Sequence, residues 1–333
     1  GRESSAISAA LQSFARGEAE PRILTGTALE APSGAAFIYS GNGSQWAGMG
    51  QQLLVDPLFR ESLAEIDAFF QPLAGFSLTD ELAGSNGEDR YVFTEIAQPA
   101  LFAVQVGLTR MLRRGGLMPA AVAGHSVGEV AAAWAAGVLD LASAVKVIYH
   151  RSRLQGTTKG KGQMTAVGLG ADECQELLRS LGLEQVVALA GVNSYRGATL
   201  AGDPPTLEVA EAELTRQGLF YRRLDLDYAF HSPAMDGIEA GILEALADMI
   251  PSQGTIPFYS TVTGQIIDGT ALDAAYWWHN IRKPVLFQSA IMDMQSSGIN
   301  IFIEVGPHAV LRSYLNDCLK ESGYQGRVIS TLK

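Results

Sequence analysis

The sequence predicts an α/β fold, with a large core built on a parallel sheet and a small α+β subdomain inserted into it. Two observations carry that reading. Short apolar runs of strand length recur between helix-length stretches on both sides of the chain's middle, the rhythm of a parallel sheet with crossover helices. Between residues 163 and 225 the order changes to strand, helix, strand, strand, helix, strand. That is the ferredoxin-like pattern, and it is compact enough to be an insertion.

Residues 1–33 read as a boundary segment, with a short helix over 5–15 and then a stretch carrying Pro21, Pro32 and several Gly and Thr. The core starts with the buried-strand pattern Ala35-Ala36-Phe37-Ile38-Tyr39, which runs into Ser40-Gly41-Asn42-Gly43-Ser44-Gln45. A glycine-flanked turn after a strand lets backbone N–H groups point at a ligand. Helices are expected over 58–71 and 98–114, a strand over 119–123, and an Ala-rich helix from Val130. Asp140 reads as the N-cap of a helix over 141–155, which the Gly, Thr and Lys of 156–162 end. Inside the insertion, strands are expected over 164–169, 186–192, 198–201 and 219–224, with helices over 171–181 and 205–217. Residues 300–305 read as a buried core strand. The expected layout is therefore 34–162 and 226–333 for the core and 163–225 for the subdomain.

A chain of 333 residues suits about two domains, or one large α/β unit with an insertion. Its 47% hydrophobic content supplies a packed core and excludes general disorder. Lys and Arg number 24 against 35 Asp and Glu, a net charge of -11 with no basic cluster, which argues against a nucleic-acid partner. Cys174 and Cys318 are the only cysteines, too few for a disulfide framework or a thiolate metal site. Such usage fits a reducing compartment, so a cytoplasmic location is expected. No apolar run reaches the roughly 18 residues of a membrane span, and no membrane partner is expected. The longest run, 130–139, is mostly Ala and ends at Asp140. Gly1-Arg2-Glu3 offers neither an initiator Met nor a signal pattern, so the chain reads as a piece of something longer.

Gly124-His125-Ser126-Val127-Gly128 matches G-x-S-x-G between an apolar strand and the Ala-rich helix. Small residues let the backbone turn sharply and present the Ser126 hydroxyl at a helix N-terminus, where the dipole and the Val127 N–H favour an oxyanion. The alternative is an ordinary small-residue turn, and the strand–turn–helix context favours the nucleophile elbow of an α/β-hydrolase-like core. A serine nucleophile needs a base. His125, His150, His279 and His308 read as surface or packing histidines. His231, in Tyr228-Ala229-Phe230-His231-Ser232-Pro233, falls where the chain leaves the insertion, beside an expected interdomain cleft.

Arg151 lies on the apolar stripe of its helix with Ala144, Val147, Ile148 and Leu154, whereas Arg153 falls on the wetter side. A guanidinium facing the interior needs an anion. Two readings stay open from the residues alone: a structural ion pair with a carboxylate, or a clamp for a substrate carboxylate, which the planar fork suits.

Taken in order, Ser40 to Gln45, Gly124 to Glu129, Arg151, and Tyr228 to Pro233 resemble the motifs of polyketide-synthase acyltransferase domains, which are similar to malonyl-CoA:acyl-carrier-protein transacylases. Gln98-Pro99-Ala100-Leu101, Gly191-Val192-Asn193-Ser194, Lys283-Pro284-Val285 and Glu304-Val305-Gly306-Pro307 resemble further landmarks of that family. The resemblance implies Ser126 as nucleophile, His231 as general base, and the backbone N–H groups of Val127 and Asn42 as oxyanion hole. It implies Arg151 as holder of the extender unit's carboxylate, with Gln98, Tyr228 and Phe230 also in the substrate site. The family usually has Gln at the position of Asn42. A backbone carbonyl within 283–286, rather than a third acidic residue, is expected to orient His231. The implied substrate is malonyl-CoA, the implied partners an acyl carrier protein and a neighbouring ketosynthase, with residues 1–33 as the connecting linker. No bound cofactor or metal is implied; the phosphopantetheine arm belongs to the carrier.

Malonyl-selective relatives tend to carry His-Ala-Phe-His and methylmalonyl-selective ones Tyr-Ala-Ser-His, so Tyr228-Ala229-Phe230-His231 is mixed. The third position should matter more, because the Phe230 ring would fill the space of a branching methyl, and Val127 is also the aliphatic type that accompanies malonyl. Three rivals remain: a domain selective for methylmalonyl or another extender, a serine esterase or thioesterase, and a decayed domain kept as a docking surface. A hydrolase triad would need an acid between Ser126 and the histidine, and Asp225 and Asp227 sit too near His231 in sequence.

Overall fold

The computed structural model describes residues 4–20, 23, 34–84 and 90–332. The described residues separate into a short N-terminal unit, which carries helix α1 (Ser4–Ala15), and the rest of the chain. Of the stretch read as a linker, residues 1–3, 21–22 and 24–33 lie outside the described residues.

The main unit begins with β1 (Ala35–Tyr39), α2 (Pro57–Ala74), α3 (Leu78–Ala83), α4 (Thr94–Arg114), β2 (Ala121–Gly124), α5 (Gly128–Ala135) and α6 (Leu141–Gly156). Asp56 caps α2 by accepting from the Leu58 N–H, with Pro57 in the first turn, and Asp140 caps α6 by accepting from the Ser143 N–H at 2.7 Å. Helix α4 starts at Thr94, one turn before the expected position, so Pro99 lies inside it. Proline removes one hydrogen bond close to the helix start, and the helix is buried continuously from Ile96 to Thr109, which outweighs that loss.

The chain then forms β3 (Gln163–Val167), α7 (Ala171–Leu181), β4 (Ala188–Ser194), β5 (Gly197–Gly202), α8 (Pro204–Arg216) and β6 (Tyr221–Arg223). It ends with α9 (Glu239–Ala245), β7 (Phe258–Ser260), β8 (Gln265–Ile267), α10 (Ala274–Arg282), α11 (Phe287–Ser296), β9 (Ile301–Val305), α12 (Arg312–Ser322) and β10 (Arg327–Ser330).

Six strands make one sheet in the order β10-β9-β1-β2-β7-β8. It is mostly parallel; β8 alone returns antiparallel to β7. Residues 261–264 join those two strands, and so short a link permits a hairpin but no crossover. Alternate side chains feed two cores. Phe37, Tyr39, Val122 and Val305 face the layer of α2, α4, α5 and α6, while Ala36, Ile38, Ala123 and Phe302 face α11 and α12. The second sheet runs β4-β5-β3-β6 with every neighbouring pair antiparallel, and its helices α7 and α8 close a separate small core around Cys174, Leu200 and Leu207. Two backbone hydrogen bonds tie this sheet to the stretch before α11: Val192 N–H donates to Val285 C=O at 2.8 Å, and Val285 N–H donates to Ala190 C=O at 2.9 Å. No described helix is long and apolar enough to cross a membrane.

Candidate active site

The turn between β2 and α5 is built by steric necessity. A Cβ on Gly124 would sit 2.2 Å from the Glu129 nitrogen, and one on Gly128 would sit 2.3 Å from the Tyr39 carbonyl oxygen. Only glycine fits at either end, and Ser126 between them is forced to φ +53°. His231 has φ +57°, and among the described residues these two are the only ones with a side chain at positive φ. Such conformations cost about 1–3 kcal/mol each and persist where the surroundings impose them.

The two strained residues meet. Ser126 Oγ lies 2.7 Å from His231 Nε2, and His231 Nδ1 lies 2.9 Å from the Lys283 carbonyl oxygen. A carbonyl only accepts, so Nδ1 carries the proton and Nε2 is left to accept from the Ser126 hydroxyl. Burial, followed by the nearby positive charge of Arg151, pulls the His231 pKa down to about 3, so the imidazole is neutral and basic-ready at neutral pH. The Lys283 carbonyl is itself pinned. Lys283 N–H donates to His279 C=O, Val285 is bonded to β4, and Leu286 N–H donates to Thr261 C=O at 2.6 Å. No carboxylate hydrogen-bonds the ring among the described residues.

Arg151 on α6 is 1% exposed, while Arg153 is exposed. Its Nε donates to Asn280 Oδ1 at 3.0 Å, and its Nη1 to Gln98 Oε1 at 2.6 Å and Gln155 Oε1 at 2.8 Å. Its Nη2 donates to Ser126 Oγ at 3.0 Å. Every direct partner is neutral, so the ion-pair alternative is not what this residue makes. Burial lowers the guanidinium pKa to about 9, opposed by the charge of Glu129, and the group stays cationic at neutral pH.

Gln98 is held by donating its Nε2 to Thr94 Oγ1 and Gln155 Oε1. The turn after β1 packs directly on the elbow, since a Cβ on Gly41 would lie 2.6 Å from the His125 carbonyl oxygen. Ser44 Oγ donates to Gly41 C=O and Gln105 Nε2 to Ser40 C=O, which fixes the turn. The N–H groups of Asn42 and Val127 have no protein acceptor among the described residues. Tyr228 and Phe230 are buried just before His231, with rings stacked 4.9 Å apart.

His125 engages Asn193 through Nε2 at 2.7 Å and packs on Phe287, so it stitches the elbow to β4. His150 and His279 stay half-buried on their helices, and His308 is exposed. A cavity of about 900 Å³ opens beside the elbow, lined among others by Asn42, Trp46, His125, Asn193, Arg222 and His308. No group of three or more His, Cys, Asp or Glu among the described residues is placed to hold a metal ion.

Sequence reasoning missed three neighbours of this site. Gln155 was legible, four residues after Arg151 on the same helix face. Glu129 stood within the recognised motif without a role, and Asn280 carried no local signal, because α10 reaches Arg151 only through tertiary packing.

A buried serine–histidine pair on a strand–turn–helix elbow, with an arginine on the hydroxyl, defines an acyl-transfer site, and the chain belongs to the acyl transferase domain family, which matches residues 36–333. Its likeness within that family is to the acyltransferase domains of modular type I polyketide synthases. It is 38% identical over 287 residues to erythronolide synthase EryA2 of Saccharopolyspora erythraea, covering 86% of this chain and 8% of that protein. It is 36% identical over 341 residues to polyketide synthase GfsE of Streptomyces halstedii, covering all of this chain and 9% of the relative. The chain thus spans less than a tenth of the length of these curated relatives. The acyltransferase domain from module 8 of the salinomycin polyketide synthase superposes with a TM-score of 0.95 at 35% identity, over 100% of this chain and 78% of that one. MCAT from Streptococcus pneumoniae shares the fold, with a TM-score of 0.79 at 24% identity over 89% of this chain and 95% of its own.

Proposed function

We propose that this domain moves a malonyl unit from CoA to the phosphopantetheine thiol of an acyl carrier protein, by a ping-pong route through acyl-Ser126. The observation that carries the reading is Arg151, a buried cation 3.0 Å from the nucleophile whose direct partners are all neutral. The substrate's own free carboxylate would then be the direct anionic partner that Arg151 lacks within the protein. Four of the five guanidinium N–H groups are engaged, leaving one Nη2–H, and the Ser126-directed one is freed once Oγ is esterified. Both Nη2 hydrogens can then donate charge-assisted hydrogen bonds on the substrate side.

Ser126 Oγ attacks the thioester carbon while its proton passes to His231 Nε2. The oxyanion accepts from the N–H groups of Val127 and Asn42, the C–S bond breaks, and CoA leaves with the proton from His231. The carrier thiol then gives its proton to His231 and attacks the acyl ester, and Ser126 Oγ recovers the proton. The cavity beside Asn42 and His125 offers a path for the pantetheine arm. No cofactor enters this scheme. In the same reading the domain works in the cytoplasm within a larger synthase, joined through residues 1–33 to a ketosynthase.

Incubation with malonyl-CoA should add a malonyl mass to Ser126 that a carrier protein discharges. Hydrolysis without transfer would instead make the domain an esterase or thioesterase, and no adduct would leave it a scaffold. Arg151→Ala should lower kcat/KM for malonyl-CoA roughly 10- to 100-fold more than for acetyl-CoA, which lacks the second carboxylate. Equal losses would make Arg151 structural.

Malonyl over methylmalonyl is supported by Phe230, whose buried ring beside His231 leaves less room for a branch. A methyl contact alone is worth only about 1–3 kcal/mol, so exclusion has to do most of the selecting. In competition the domain should load malonyl preferentially, and Phe230→Ser should narrow the ratio. Preferential methylmalonyl loading by the unaltered domain would assign control of the pocket to Tyr228 or another residue.

A further inference from the structure

We propose that Glu129 is a positioning residue for extender selection, setting the orientation of the Asn280 amide that holds Arg151; this role rests on the acyltransferase reading above. Glu129, at the start of α5, has 0% exposure; its backbone N–H donates to the Ser126 carbonyl, but its carboxylate makes no hydrogen bond to Ser126, His231 or Arg151. Its Oε1 accepts from Thr261 N–H and from Thr261 Oγ1. Its Oε2 accepts from Tyr276 OH at 2.7 Å and Asn280 Nδ2 at 2.9 Å.

The consequence runs through Asn280. Its Nδ2 donates to two groups that only accept, the Glu129 carboxylate and the Ser126 carbonyl at 3.0 Å. Its Oδ1 is thereby turned toward Arg151 Nε, which it meets at 3.0 Å. A flipped amide would set an oxygen against two acceptors and an NH₂ against an N–H donor. Asn280 therefore reads the Glu129 carboxylate and presents an acceptor to the guanidinium. One side chain separates the two charges, so Glu129 balances Arg151 without occupying the Nη2 side that faces the nucleophile.

The competing reading is purely structural, with Glu129 joining α5 to β7 and α10 through Thr261 and Tyr276. Those anchors do not touch Arg151, so the two readings differ in what a substitution does to substrate choice. In Glu129→Gln the Thr261 N–H still demands an oxygen at the Oε1 position. The new NH₂ then falls opposite Asn280 Nδ2, donor against donor, and the Asn280 amide must turn away from Arg151.

The test compares self-acylation by malonyl-CoA and acetyl-CoA in the unaltered domain, Glu129→Gln, Asn280→Ala and the double variant, with the melting temperature of each. Glu129→Gln should lose roughly tenfold in kcat/KM for malonyl-CoA and less than about threefold for acetyl-CoA. Asn280→Ala should change the malonyl-to-acetyl ratio in the same way, and the double variant should be no worse than Asn280→Ala alone, since both act through one contact. Equal losses for both thioesters, or effects that multiply in the double variant, would overturn the proposal. Should Glu129→Gln fail to fold, Asn280→Ala decides it alone, and an unchanged ratio overturns the relay. An unaltered domain that takes acetyl and malonyl poorly and equally would overturn the acyltransferase reading itself, and this role with it.

Discussion

Ser126→Ala is expected to abolish acyl-enzyme formation and leave the fold standing. The substitution removes one oxygen, and that oxygen has two partners, His231 Nε2 at 2.7 Å and Arg151 Nη2 at 3.0 Å. Losing a typical hydrogen bond costs about 1 kcal/mol, small against the buried core that surrounds the elbow. The φ of +53° is as strained for Ala as for Ser, so the turn imposed by Gly124 and Gly128 is unchanged. Mass spectrometry after incubation with malonyl-CoA should show the adduct on the Ser126 peptide of the unaltered domain and none on the variant. Normal loading of the variant would place the nucleophile elsewhere.

His231→Ala should slow acylation by about 10²- to 10⁴-fold, the range of a positioned general base. The pH dependence provides an independent check with a definite sign. A free histidine, with a pKa near 6.5, would lose its basic form as pH falls through that value. Burial and the Arg151 charge pull His231 down to about 3, so kcat/KM for acylation should stay flat on the acid side from pH 8 to pH 5. An acid limb centred near 6.5 would show that burial and the Arg151 charge do not lower His231 in this way. Stability follows the same linkage. The unfolded chain takes up a proton at His231 below about 6.5 and the folded chain does not until about 3, so stability is present above 6.5 and is lost as pH falls toward 3. The slope from this group is at most about 1.4 kcal/mol per pH unit, and denaturant titrations of His231→Gln should lack it.

What the sequence by itself determined was local. The short apolar run Ala35-Ala36-Phe37-Ile38-Tyr39, the Asp140 cap, the placement of Arg151 on an apolar stripe and the glycines around Ser126 all act between neighbours along the chain. Periodicity and sterics at that range are written in residue types, which is why the strand–turn–helix elbow and the buried arginine were legible before any coordinates. The β-α-β-β-α-β order was legible for the same reason, whereas the antiparallel return of β8 was not, because it hung on the length of one short loop. Only the tertiary structure decided the distances across the site. Ser126 and His231 are 105 positions apart, and Arg151 and Asn280 are 129 apart. The group that orients His231 is the carbonyl of Lys283, an atom every residue possesses, so the residues themselves pointed to no side chain as its partner. Glu129 and Asn280 joined the site because α5 packs against α6 and Asn280 of α10 reaches Arg151 from a distant part of the chain, and the identity of either residue alone specifies no such approach. Local signals choose the conformation of a segment; the meeting of segments is set by burying their apolar faces together, and the chemistry of this site forms at that meeting.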